Sequence, residues 1–529
     1  MGSIINLSSY NFLQKVSKCN LSLNNIFSSV KICISGFTMG IREGVISTYS
    51  RLRRWSFHET WALPVDIFRV LAGALSFFYF FSLLFEVEDF SSPHGLINHD
   101  FFLETFWWLK INLIQPGIGT ALFYVLIGFA CIGTFGIIFG YRVRLVAGVL
   151  FVIASSIQRW NFPVMFVDDA IMHLLLFWLI LLPVGKTLVL SEWIKEGNSC
   201  FTRWIHTKVP GIAVSCLIGN ICWIYFFAGV TKLTSPLWRE GFALYPILLL
   251  PISLMPDFWE PEHLPFLKFA TYASLIIEIA LPFFLLSPKG SLRKWVGLVL
   301  QVSFNLGIIL TLKIPFANIA LLASGVLFFR EELMEALLRR HNLKYEPGQS
   351  ARVGISSILA VVFIVLVILS TSRTVPILKH LSPPATQALW AIGIIQNYYL
   401  FNWIDRLNYH VKQEAVFYPS YNRSPQHLDP ATIIPRTVRH TLFQMRLYDI
   451  PWLLRFPKDL KDDLKRDIAN QISRRACERA GENGRFVLST TLHRVTPDNI
   501  ELKKRGKVYT MSFTCLQNKA LSLKTRVTQ

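Results

Sequence analysis

Six windows of this chain stay apolar for close to the length of a membrane-spanning helix, and that feature constrains the fold more than any other. Val65 to Phe85, Gly117 to Phe139, Ile212 to Val230, Phe269 to Ser287, Trp295 to Leu312 and Val353 to Leu369 are dominated by Leu, Ile, Val and Phe. A helix needs roughly 20 such residues to cross the hydrocarbon core. Three shorter windows, Leu145 to Ile157, Ala170 to Val184 and Pro315 to Phe329, have apolar or aromatic flanks that extend them along a tilted path. The expected fold is an all-α polytopic membrane domain of about nine transmembrane helices. Composition agrees, with 52% apolar and 16% charged residues, whereas a soluble domain carries about 25% charged residues. A soluble enzyme, a disordered chain and a fibrous repeat are thereby excluded.

The formal net charge of +20 would suggest nucleic acid in a soluble protein. In a membrane chain the positions of Lys and Arg report orientation instead, so the lipid bilayer is the expected partner and nucleic acid is not. With nine spans and the N-terminus inside, the inside segments hold 21 Lys and Arg and the short outside loops hold six: Lys110, Arg159, Lys232, Arg239, Lys268 and Lys313. That bias favours a cytoplasmic N-terminus and places everything after Leu369 outside. The tail has 25 Lys and Arg against 12 Asp and Glu, which the rule permits because long translocated segments escape it.

Four regions follow. Residues 1–60 read as a basic cytoplasmic leader, with an organellar transit peptide as the alternative because the first acidic residue is Glu43. Ile32 to Gly40 is too short and polar for a cleavable signal. Residues 61–372 form the membrane domain, and 373–401 a linker whose stretch Ala385 to Phe401 is an interfacial or tenth helix. Residues 402–529 read as a small extracytoplasmic α+β domain. Within it Asp459 to Gly481 spaces Leu460, Leu464, Ile468, Ile472 and Ala476 as one helical face, and Arg485 to Val495 and Lys507 to Cys515 alternate like strands. The eight cysteines show no metal or redox spacing, and Cys477 with Cys515 is the one candidate extracytoplasmic disulfide.

Polar residues at membrane depth carry the search for chemistry, because their cost must be offset by a partner or a function. Asp66 and Arg69 stand one turn apart and pair. Asp168 and Asp169 are either a solvated helix start or two carboxylates raising one another's pKa. Glu278, well inside a span, requires an interhelical partner. His173 and Asn305 are intramembrane hydrogen-bonding residues. Lys232 ends an aromatic helix. One reading is a snorkelling interfacial lysine. The other is an amine desolvated among aromatics, neutral enough to accept a proton. The second reading requires a nitrogen kept both from solvent and from a permanent acid partner.

Around Lys232 the segment Tyr225 to Ala243 (YFFAGVTKLTSPLWREGFA) resembles the signature of the HTTM (horizontally transferred transmembrane) family, best known for vitamin K-dependent gamma-glutamyl carboxylase. Ala62 to Arg69, Gly140 to Leu145, Trp160 with Asn161, Ser303 to Leu322 and Gln396 to Phe401 are similar to further family segments, so the resemblance covers about Trp61 to Val495. It implies that Lys232 is the catalytic base on reduced vitamin K or another membrane quinol. It also implies a pocket drawn from Trp160, Asn161, Trp238, Glu240, Gly241 and Asn305, with no metal, and an outward-facing site. Two departures stand out. Asn305 occupies the place of a family histidine, and the histidine expected after the Trp-Asn pair has no counterpart near Phe162 and Pro163; an asparagine cannot relay a proton. In the enzyme reading the basic tail draws an acidic secreted peptide or protein as substrate; the competing reading is a non-catalytic member that binds or matures a secreted peptide partner. A transporter ranks below both, because no inverted repeat is evident.

Overall fold

A computed structural model describes residues 58–92, 95–96, 99, 111–114, 117, 119–161, 164–343, 353–372, 379–394, 401–405, 408–420, 424–433, 437, 439–440, 471–502, 506–516 and 519–528. Nearly all of the leader, positions 459–470 of the amphipathic segment and positions 395–400 of the linker lie outside the described residues.

The chain enters as strand β1 (Glu59–Trp61) and turns directly into helix α1 (Ala62–Leu83), with Pro64 in the first turn, where a missing N–H costs no intrahelical bond. Helices α2 (Thr120–Ile138), α3 (Val143–Trp160) and α4 (Val167–Leu181) follow. Next come the short α5 (Leu190–Glu196) and α6 (Ser199–His206), then strand β2 (Lys208–Pro210), which pairs antiparallel with β1. Helix α7 (Ile212–Lys232) leads through α8 (Pro236–Arg239) and α9 (Leu244–Leu249) to the pair α10 (Leu264–Leu285) and α11 (Leu292–Thr311). Helices α12 (Pro315–Ala323), α13 (Gly325–Phe328), α14 (Arg330–Arg340), α15 (Ile355–Thr371) and α16 (Ser382–Ala391) complete the helical part.

Among the described residues, six helices are long and apolar enough to cross a membrane: Ala62–Ser91, Thr120–Ile138, Val143–Trp160, Ile212–Lys232, Pro261–Leu285 and Leu292–Thr311. The apolar windows and these helices differ instructively. Leu145 to Ile157 lengthens to 18 residues in α3 because its polar end folds inward. Ser155 and Ser156 bond back to the Phe151 and Val152 carbonyls at 2.8 Å, and Gln158 Nε2 donates to Asp169 O at 3.0 Å. Pro315 to Phe329 becomes two helices that break at Ser324, whose Oγ bonds back to Leu321 O at 2.5 Å. The window at Val353 yields the 17-residue α15, and α4 has 15 residues.

One end of the bundle is held by a single carboxylate. Asp66, fully buried, accepts from Gly185 N (2.6 Å), Lys186 N (3.0 Å), Thr187 N (2.7 Å) and Thr187 Oγ1 (2.8 Å). It also pairs with Arg69 Nε at 2.8 Å. Arg69 in turn donates to the Ile137, Ile138, Thr187 and Leu188 carbonyls. The i,i+3 pair expected from the sequence thus ties α1, the end of α2 and the α4–α5 loop together. Beside it, Trp61, Leu63, Ile205, Met334 and Leu338 form a small apolar core under the β1–β2 ribbon.

After α16 the chain forms a five-stranded antiparallel sheet in the order β4-β3-β5-β6-β7, made of β3 (Tyr409–Pro419), β4 (Gln426–Leu428), β5 (Gly484–Arg494), β6 (Lys507–Leu516) and β7 (Lys519–Thr528). The expected strands correspond to β5 and β6. In register, Phe417 faces Phe486, which faces Phe513, and all three are buried. Residues 471–480 are helical, with Ile472 and Ala476 buried, and a disulfide joins Cys477 to Cys515 of β6.

Two outcomes test this framework. Asp66→Ala strands Arg69 and three backbone N–H groups, so thermal unfolding in detergent should show a loss of about 3–5 kcal/mol, or no folded protein. Replacing Cys477 and Cys515 by Ser should cost about 3–4 kcal/mol, since the bridge closes a loop of 38 residues. Mass mapping without reductant should show the linked peptides.

Candidate functional site

The last turns of α7 carry Tyr225, Gly229 and Lys232 at i, i+4 and i+7, one face of the helix. That face meets α10. A Cβ on Gly229 would lie 2.7 Å from Ile279 Cγ1 and 3.1 Å from Glu278 Cβ, so only glycine lets the two backbones approach this closely. The approach brings Lys232 Nζ to 2.5 Å from both carboxylate oxygens of Glu278. Both residues are more than nine-tenths buried. The indole of Trp238 covers the ammonium at 4.8 Å.

Trp238 is itself fixed. Ser235 caps α8 through a 3.4 Å bond from Trp238 N, and the indole Nε1 donates to Phe401 O at 2.9 Å. Gly241 follows with φ of +76°, and a Cβ there would lie 2.7 Å from the Tyr272 ring. Both conformation and space demand glycine at this turn.

Against the ion pair lies a cavity of about 100 Å³. Its charged wall is Lys232 and Glu278, Ser274 and Asn318 are also polar, and Trp238, Phe304, Ile308 and Phe401 are among its apolar lining. Ser274 of α10 and Ile308 of α11, both on the lining, are only partly covered, so the cavity reaches the flank of the helix pair. At their other end α10 and α11 close tightly, because a Cβ on Gly297 would lie 3.0–3.1 Å from Phe284 and Leu285.

The residues expected to share a pocket with Lys232 divide. Trp238 lines the cavity, and Gly241 shapes the turn beside it. Asn305 lies one residue beyond lining Phe304 but faces away, donating to the Tyr225 hydroxyl at 2.8 Å. Glu240 is exposed. Trp160 and Asn161 sit elsewhere, donating to Ser91 O at 3.0 Å and Ser91 Oγ at 2.9 Å, with His99 stacked on the indole. The lone dry amine is corrected: Lys232 is dry, but its nitrogen is not alone, since both carboxylate oxygens of Glu278 bond it. The partner that Glu278 required is Lys232 itself. The sequence signal was present in each residue separately, and their separation of 46 positions hid the pairing.

The solvated helix start expected at Asp168 and Asp169 is also corrected, since both are buried. Asp168 Oδ1 accepts from Ala317 N at 2.8 Å. Asp169 accepts from Tyr79 Oη at 2.6 Å and from Arg439 Nη2 at 2.5 Å. Arg439 also reaches Glu86 at 2.6 Å. Burial opposes its charge, but Asp169 and Glu86 more than offset that and raise its pKa further. His440 and Arg475 both bond Asp89. His173 Nε2 meets Ser155 Oγ at 2.7 Å and Nδ1 meets Gly393 O at 3.0 Å. Among the described residues, no group of three or more His, Cys, Asp or Glu is placed to hold a metal.

No family model matches this chain, and neither does any curated protein or solved structure.

A buried pair reveals itself in a double-mutant cycle. Glu278→Leu alone leaves an unpaired ammonium and should cost about 3–5 kcal/mol, whereas the double variant Lys232→Met with Glu278→Leu should recover most of that loss. Thermal unfolding of the four proteins in one detergent measures it. Equal losses in single and double variants would remove the pair from the account.

Proposed function

We infer that this is a multi-pass membrane protein whose cavity binds a lipid-soluble molecule bearing a phenolic or quinol hydroxyl, the head resting on Lys232 and Glu278 and the apolar part on Phe304, Ile308 and Phe401. The observation that carries this reading is a mostly apolar cavity whose charged wall is a closed ion pair. Such a wall selects its ligand. A free acid would compete for Lys232 and strand the Glu278 charge, and an amine would do the reverse. A neutral hydroxyl can donate to the carboxylate and accept from the ammonium, leaving neither charge unpaired.

The same geometry reverses the roles implied by the family motif. The Glu278 carboxylate accepts the hydroxyl proton, and the Lys232 ammonium holds the negative charge left on oxygen. Deprotonation here uses the acid as base and the amine as electrostatic partner. The carboxylase-like activity is supported by the motif around Lys232, and the missing histidines count against it. An acidic secreted peptide partner is supported by the basic tail alone.

Two independent signals support an outward-facing site. The Lys and Arg bias puts the N-terminus and the α4–α7 connection in the cytoplasm, where Cys200 is free. The Cys477–Cys515 disulfide belongs in an oxidising compartment. Lys232, Trp238 and the sheet then lie towards the outside, and the nine-span count includes α4, the α12–α13 segment and α15.

Binding tests the reading. Titrating purified protein in nanodiscs with a long-chain hydroquinone should quench tryptophan fluorescence saturably, and the stability-neutral pair Lys232→Met with Glu278→Leu should weaken binding at least about tenfold. A fatty acid of equal length should not compete. Unchanged binding in the double variant would sink the assignment. Lys232→Arg separates the roles: an electrostatic partner keeps activity with Arg, and a catalytic base loses it. A search for added CO₂ on co-expressed secreted peptides by mass spectrometry decides the carboxylase reaction.

A further inference from the structure

Helix α11 turns a polar stripe inward. Its buried residues are Lys294, Gly297, Gln301 and Asn305, spaced three, four and four apart, which is one face. At the start of the stripe Lys294 Nζ bonds Glu332 Oε1 at 2.7 Å. At its other end Asn305 reaches Tyr225, which shares the α7 face of Gly229 and Lys232. Polar groups inside a membrane bundle are costly unless matched.

Two of them have no protein partner: Gln301 Oε1 and Asn305 Oδ1 are buried and accept no hydrogen bond. Turning the amides over does not help. Gln301 Nε2 already donates to Leu321 O at 2.8 Å, and Asn305 Nδ2 to Gln301 O at 2.7 Å. Exchanging oxygen and nitrogen would set carbonyl against carbonyl and strand the amide hydrogens instead. Both oxygens need a small O–H donor, and water is the one that fits. Gly325 leaves the space, since a Cβ there would come to 3.6 Å from Gln301 Oε1. Tyr225, whose oxygen accepts from Asn305, has a hydroxyl hydrogen to give to the same water.

We propose that Tyr225, Asn305 and Gln301 hold water beside the buried Lys232–Glu278 pair, and that this wetted file is the route by which the pair exchanges protons. The inference uses the ion pair but not the ligand of the preceding reading. Among the described residues, the titratable groups that α7 turns towards Glu278 are Lys232 and Tyr225, and α11 contributes uncharged amides. On the opposite side the cavity offers Ile308, Leu312, Ile314 and the amide of Asn318, whose Nδ2 already donates to Ile314 O at 2.7 Å, and no titratable group. Protonation of Glu278 leaves Lys232 as a lone buried cation, so the proton must come and go by a polar path.

Radiolytic hydroxyl-radical footprinting of the wild-type protein in nanodiscs tests the hydration, because bound water generates the label at buried side chains. Tyr225 should be oxidised several-fold faster than Tyr79, which is equally buried but whose hydroxyl is taken up by Asp169. Equal or slower labelling of Tyr225 overturns the proposal. Infrared pH-jump spectroscopy tests the route through the carboxyl band lost in Glu278→Gln. Gln301→Leu should slow the rise of that band at least about tenfold, whereas Leu312→Trp, which narrows the cavity, should leave its rate unchanged. A band that never appears, or one that slows with Leu312→Trp and not with Gln301→Leu, overturns it. Hydroquinone binding measured on the same samples is a separate readout, so failure of the ligand reading and failure of the water file are distinguishable.

Discussion

A charge carried into hydrocarbon must meet its counterion there, and this requirement organises the helical part of the protein. Lys232 with Glu278, Asp66 with Arg69, Lys294 with Glu332 and Asp169 with Arg439 are each within hydrogen-bonding distance. Isolated, any of these ions would cost several kcal/mol. Paired, Lys232–Glu278, Lys294–Glu332 and Asp169–Arg439 each fix the register of two segments far apart in sequence, whereas Asp66 and Arg69, one turn apart on α1, reach other segments through backbone groups. The closest of these approaches depends on Gly229, where even a methyl group would force α7 and α10 apart.

The pairs differ in what surrounds them. Asp66 is saturated by backbone N–H donors and Arg69 by backbone carbonyls, leaving no valence for a ligand. Lys232 and Glu278 face a cavity instead, so the same physical device is closed off at one end of the bundle and borders open space nearer the other. Arg439 joins the region after the helices to the ends of α1 and α4, and its charge is held by acids that the sequence places more than two hundred positions away.

Much of this was legible in the residues. The apolar windows gave the long helices, because lipid leaves the backbone no alternative to satisfying its own hydrogen bonds. Alternation gave β5 and β6. Strands β3 and β7 escaped notice because Tyr409–Pro419 mixes Lys, Gln and Glu into its pattern and Lys519–Thr528 alternates with Ser, Lys and Arg. The polar end of α3 was cut short in the sequence reading because hydropathy penalises Ser155, Ser156 and Gln158, whose bonds to backbone carbonyls are invisible to it. Trp238 and Lys232 were found together from their motif, while Trp160 and Asn161 were grouped with them by resemblance and lie at another place.

The sequence by itself determined a membrane-embedded helical bundle, the intramembrane positions of its costly polar groups, and the need of Glu278 for a partner, since hydropathy and desolvation act residue by residue. Only the tertiary structure decided which acid meets which base, which aromatic closes over them, and which amide oxygens remain unmatched. Those depend on the distance between helices, and that distance is set where a glycine of one segment meets the backbone of another.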